Sequence, residues 1–209
     1  MVAVIFICAS LTGCFDEPKR YYEFYFNLRV DGGDLSNITL IMPVPLKGNL
    51  TFPKIADLNA NLRKINDGSE DGSGWEIKVI DTAYGAMLQL SGDTLEESTF
   101  ILRKEFNQQN RIYTTYPLGN EYNLLPKSNV SIQEREGNRT YATFQSPFYF
   151  GYNASENTSI TLFYLFAGYN NELSEEYNYR YWDLYRDIIL RGPQDGWMHL
   201  NGTLSSRKL

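Results

Sequence analysis

Histidine and cysteine are nearly missing from this chain. Its 209 residues hold one histidine, His199, and two cysteines, Cys8 and Cys14. A Cys/His zinc or iron site cannot be assembled from so few soft donors. A Ser–His–Asp triad would have to use His199, which sits between Met198 and Leu200 on an expected strand, and no nucleophile-elbow motif accompanies it. His199 is therefore read as a packed or exposed strand residue. Paired cysteines are absent too, so an immunoglobulin identity has no specific support. Basic stripes and aromatic–basic interleaving are also missing. Net charge is −6 with both signs interspersed, which argues against a nucleic-acid partner and against adhesion to anionic headgroups. Beyond residue 14 no apolar stretch approaches membrane-spanning length, and no internal repeat or low-complexity linker interrupts the chain.

What is present begins at the N-terminus. Residues 1–14 carry no charged side chain. Met1–Ser10 fits a signal-peptide apolar region and is too short to span a bilayer, although the usual basic residues ahead of it are lacking. Leu11-Thr12-Gly13-Cys14 reads as a lipobox, with Cys14 the lipidated first residue of the mature chain. Cys8 would leave with the signal, so Cys14 has no disulfide partner, and a thioether lipid explains it. The alternative is the end of a truncated membrane helix that happens to read LTGC. The expected organisation is a signal at 1–13, a short tether at 14–20 and one domain at 21–209.

Seven Asn-x-Ser/Thr sequons begin at Asn37, Asn49, Asn129, Asn138, Asn153, Asn157 and Asn201. Eighteen asparagines would give only about two by chance, so the excess points to N-glycosylation outside the cytoplasm. Against this stands composition alone, because asparagine and threonine both favour exposed turns. Lipobox lipidation and sequon glycosylation coexist in archaea, which makes an archaeal envelope the economical expectation.

The rest of the chain reads as β-structure. Aromatics make up 15% of it, with 16 tyrosines. Tyr22, Phe24, Phe26, Leu28 and Val30 alternate onto one face, followed by a turn at Asp31-Gly32-Gly33-Asp34. Similar alternation runs through 37–44, 75–80, 87–90, 99–106, 130–133, 139–145, 148–152, 159–167, 177–190 and 197–204. Many short strands with frequent turn signals predict an all-β antiparallel sandwich. One short helix is expected near 53–65, with Pro53 near its start and Ile55, Leu58, Leu62 and Ile65 on one face. Tyr84-Gly85 and Asp195-Gly196 read as turns, and Trp197 as a core plug just after one.

Three constellations deserve weighing as sites. Asp67-Gly68-Ser69-Glu70-Asp71-Gly72 offers oxygen donors Asp67, Ser69 and Asp71 and a turn glycine, as a weak calcium loop would. Position 12 is Lys78, where a bidentate Glu belongs, and a solvated acidic turn explains the run as well. No other cofactor is implied. Tyr177, Tyr179 and Tyr181 would line one strand face, either as a binding patch for glycans or other surface proteins or as core. Carboxylates such as Glu175-Glu176 and Asp183/Asp187 leave a glycan or peptide hydrolase as the alternative, with no pair singled out.

Asn37-Ile-Thr-Leu-Ile-Met-Pro-Val-Pro45, Asp81-Thr-Ala-Tyr-Gly-Ala-Met-Leu88, Pro117-Leu-Gly-Asn-Glu-Tyr-Asn-Leu-Leu-Pro126, Ser146-Pro-Phe-Tyr149 and Gly192-Pro-Gln-Asp-Gly-Trp197 with Asn201-Gly-Thr-Leu204 span most of the mature chain. In these motifs it resembles a group of secreted or cell-surface proteins of methanogenic archaea. The resemblance implies export and archaeal origin. That group has no assigned activity, so it transfers no functional residue. The expectation is a lipid-anchored, glycosylated surface protein of the outer membrane face, with a structural or binding role and no enzymatic one.

Overall fold

A computed structural model describes residues 19–47, 50–51, 62–66, 69–71, 74–107, 122–136, 139–171 and 179–208. The strands are β1 (Lys19–Asp31), β2 (Leu35–Met42), β3 (Val44–Lys47), β4 (Leu50–Thr51), β5 (Leu62–Asn66), β6 (Ser69–Asp71), β7 (Trp75–Thr82) and β8 (Gly85–Leu95). They continue as β9 (Thr99–Asn107), β10 (Asn123–Leu125), β11 (Ser128–Glu136), β12 (Arg139–Asn153), β13 (Ser159–Asn171), β14 (Tyr179–Arg191) and β15 (Gln194–Lys208). The all-β antiparallel expectation holds.

Twelve strands form one antiparallel sheet in the order β6-β5-β9-β1-β13-β14-β15-β12-β2-β8-β7, with β11 beside β12. The sheet curls on itself because the β14–β15 hairpin is paired only at its base. Tyr179–Leu184 pair with Lys208–Thr203. Beyond Leu184, β14 stays with β13 and β15 stays with β12. The two arms therefore lead into two facing layers, as in a sandwich. Trp75 of β7 stacks on Phe100 of β9 with ring centroids 4.3 Å apart, which brings strands from opposite ends of the sheet together.

Period-2 alternation fills the space between the layers. Tyr22, Phe24, Phe26 and Leu28 of β1 are fully buried, as are Leu162, Tyr164 and Phe166 of β13. Phe148 of β12 meets Tyr164 and Tyr185 edge-on from the facing layer. Edge-to-face rings are favourable beyond the area they bury. Gly202 of β15 makes room for the Phe144 and Tyr185 rings, which lie where its side chain would stand. Strand β12 has two partners on one side: β11 up to Gln145 and β2 from Tyr149. Pro147 sits in the gap between them, where a central strand tolerates a residue without an N–H.

Three local expectations change. Leu62 and Ile65, taken as part of a helix, lie in β5, where pairing with β9 overrides the helical spacing; residues 52–61 are outside the described residues. Asp195-Gly196 is not a turn but the start of β15, and the chain reverses earlier, at Gly192 with φ +65°. Trp197, expected in the core, is 40% exposed, because it shares the outward parity of Asp195, His199 and Asn201.

Candidate functional site

The outer face of β12 and β15 carries an aromatic platform. Tyr149 and Trp197 are cross-strand partners with ring centroids 5.6 Å apart. Tyr84, in the β7–β8 turn, lies 4.9 Å from the Trp197 ring and meets His199 edge-on at 5.9 Å. Tyr84 and Trp197 are 39% and 40% exposed, far more than packing between two rings requires. Local sequence explains the pose. Thr82 Oγ accepts from the Tyr84 amide and donates to the Gly85 carbonyl, which pins the turn, and Gly85 takes φ +100°. Gly151 lies under the Tyr149 ring, whose nearest carbon is 2.8 Å from where a Cβ would stand, so the ring lies flat along the sheet.

Polar groups extend the platform along the strands. The Tyr149 hydroxyl donates to Asp195 at 2.6 Å. That bond, then partial burial and the carboxylate charge, pushes the Tyr149 pKa above its ordinary value. Past His199, an amide chain continues the strip: Asn129 donates to Gln145 at 2.6 Å, and Gln145 donates to Asn201 at 3.2 Å. Flat aromatic faces beside planar amides and a carboxylate can stack on an apolar ring face and hydrogen-bond its polar rim.

The expected sites fare unevenly. Tyr181 is fully buried, with its hydroxyl donating to Asp183 at 2.9 Å and lying 2.7 Å from the Asn123 side-chain oxygen. It is core, because its parity matches inward Asp183 and Tyr185; an exposed patch with Tyr181 is ruled out. Tyr177 and the side chain of Tyr179 lie outside the described residues, as do Cys14, Asn49, Asn138, Glu175, Glu176 and Asp67. Ser69 and Asp71 belong to β6, a strand paired with β5, while the rest of the suggested calcium loop, residues 67, 68 and 72, lies outside the described residues. No cluster of three or more His, Cys, Asp or Glu occurs among the described residues.

Asn37, Asn129, Asn153, Asn157 and Asn201 are all exposed. Two have a structural reason of their own. Asn37 has φ 52° and Asn129 φ 51°, each where a strand-pairing register shifts, and asparagine tolerates that backbone better than most residues.

Two further surfaces bear on function. A shallow open groove of about 330 Å³ is lined by Asn37, Thr39, Glu76, Ser91, Gly92 and Asp93. Its Glu76 is 3.5 Å from Lys78. Strand β11 exposes Val130 and Ile132, but two register shifts blunt it as a template for an added strand.

Sequence reasoning missed the platform, although a signal was there. Gly196, Met198, Leu200, Gly202 and Leu204 form the inward row of β15, which leaves Trp197 and His199 on the outer row. Comparison with protein-family models, curated proteins and solved structures finds no match to this chain.

Proposed function

We propose that this protein is a glycan-binding module displayed on the outer face of an archaeal cell membrane, anchored by a lipid on Cys14 and itself N-glycosylated. Its ligand is a neutral saccharide chain of the surrounding envelope, laid along β12 and β15. The observation that carries this reading is the cluster of Tyr84, half-buried Tyr149 and Trp197 on the outer sheet face, with Tyr84 and Trp197 exposed and the Trp197 ring tilted about 60° to both neighbours. Sugars present apolar C–H faces edged by hydroxyls. Aromatic rings beside Asp195, His199, Gln145 and Asn201 complement both parts. The address is supported by the lipobox at Leu11–Cys14 and by exposure of every sequon asparagine that the structure describes.

The test is electrophoresis of the folded protein through native gels cast with polysaccharide extracted from the envelope of its own host. The native protein should be retarded, and Trp197→Ala should migrate freely while keeping its thermal stability. Equal migration of both proteins with and without polysaccharide would remove the glycan reading.

A further inference from the structure

Among the described ion pairs only one is buried on both sides. Lys127 Nζ lies 2.7 Å from Asp183 Oδ2, with the two side chains 10% and 0% exposed. The two oxygens of Asp183 have opposite surroundings. Oδ2 also accepts from the Leu124 amide at 3.0 Å and from the Tyr181 hydroxyl at 2.9 Å. Oδ1 is buried and has no hydrogen-bond partner among the described residues. An ionised carboxylate kept purely as a charge partner would be expected to have both oxygens satisfied.

The pair is also walled by rings. Lys127 Nζ sits 4.9 Å from the centre of the Phe144 ring, and Phe144 packs edge-on against Tyr185. Two bonds hold the Lys127 segment in place. Ser146 Oγ donates to the Pro126 carbonyl at 2.6 Å, and the Tyr185 hydroxyl donates to Ser146 Oγ at 2.7 Å. A fixed amine next to a fixed carboxyl is an arrangement with high effective concentration. Burial lowers the Lys127 pKa, although the charge of Asp183 and its hydrogen bond oppose the shift.

We propose that Lys127 and Asp183 condense to an isopeptide bond that joins the segment after β10 to strand β14. One ammonium proton passes to the carboxylate, leaving a neutral amine and a carboxylic acid. Nζ then attacks Cγ and forms the new N–C bond. Negative charge gathers on Oδ2, where the Leu124 N–H and the Tyr181 O–H already point, in the manner of an oxyanion hole. The nitrogen gives up a second proton, the Cγ–Oδ1 bond breaks, and Oδ1 leaves as water with both protons. Nothing is oxidised or reduced, and no co-reactant is needed. The product is a neutral amide in place of a buried ion pair, linking residues 56 apart in sequence. For a protein with no disulfide framework, it supplies a covalent cross-link by another chemistry.

Mass spectrometry of the folded, purified protein tests this. The intact chain should be lighter by one water than its mature sequence with its lipid and glycans accounted for. Trypsin should no longer cut after Lys127, and the digest should contain a branched peptide holding both Lys127 and Asp183. Lys127→Arg should restore the full mass, and Tyr181→Phe should slow the loss of water after folding. A full-mass native chain cut normally after Lys127 would overturn the proposal. So would a loss of water that persists in Lys127→Arg, because that water would come from elsewhere, such as Asp-Gly cyclisation.

Discussion

Adding one methyl group at Gly202 is expected to destabilise the protein, while the same change at Gly196, six residues earlier on the same strand face, is not. At Gly202 a new Cβ would overlap the Phe144 ring and come 2.9 Å from the Tyr185 ring. Neither ring has room to retreat. Tyr185 is fully buried and meets Phe148 edge-on at 4.9 Å, and its hydroxyl is held by Ser146. Overpacking of this kind costs about 1–3 kcal/mol. For a chain of this size each kcal/mol lowers Tm by roughly 2–4 °C, so Gly202→Ala should melt about 2–12 °C lower. A Cβ at Gly196 meets nothing within 4 Å. There the loss of unfolded-state freedom dominates, and Gly196→Ala should be neutral or stabilising by up to ~1 kcal/mol. Thermal denaturation followed by circular dichroism compares the two variants directly. Equal melting temperatures would refute the packing of Phe144 and Tyr185 against β15.

Other outcomes follow from the same contacts. Lys127→Ala should cost about 3–5 kcal/mol in denaturant melts for stranding the buried Asp183 carboxylate, on top of the lost cross-link, and Lys127→Met with Asp183→Leu should recover the first loss and not the second. Trp75→Ala, which removes the stack on Phe100, should lose about 3 kcal/mol or more, whereas exposed Trp197→Ala should stay within about 0.5 kcal/mol of the native protein. The fold should fail in alkali. Burial pushes Tyr152 up to about 12 and Tyr164, Tyr181 and Tyr185 well above 10. Raised folded-state values mean that this stabilisation is complete below pH ~10 and is lost as pH rises through ~12. Tyrosinate absorbance should therefore appear in two stages, the second coincident with unfolding; a single stage with the fold intact would contradict the burial of these residues.

Much of the fold was legible because strand alternation is local. Tyr22, Phe24, Phe26, Leu28 and Val30 announce their buried face by spacing alone, and all five are buried. What was not legible depended on distant partners. Leu62 and Ile65 carry helical spacing, yet β9 claims them as a strand. Asp183 sits on an inward row where no pattern predicts a charge, since its partner Lys127 is 56 residues away. The platform was hidden for another reason. Asp195-Gly196 looks like a turn, and a tryptophan after a turn looks like core. The reversal at Gly192 moves both residues onto a strand, whose parity then turns Trp197 outward.

Oxidative footprinting of the folded protein, with and without polysaccharide from its host's envelope, tests the glycan platform most directly. Tyr84, Tyr149 and Trp197 should become protected together when the polysaccharide is present. Exposed residues away from that face, Val130 and Ile189, should keep their reactivity. Unchanged oxidation of Tyr84 and Trp197 at saturating polysaccharide, or protection confined to other faces of the sheet, would contradict it.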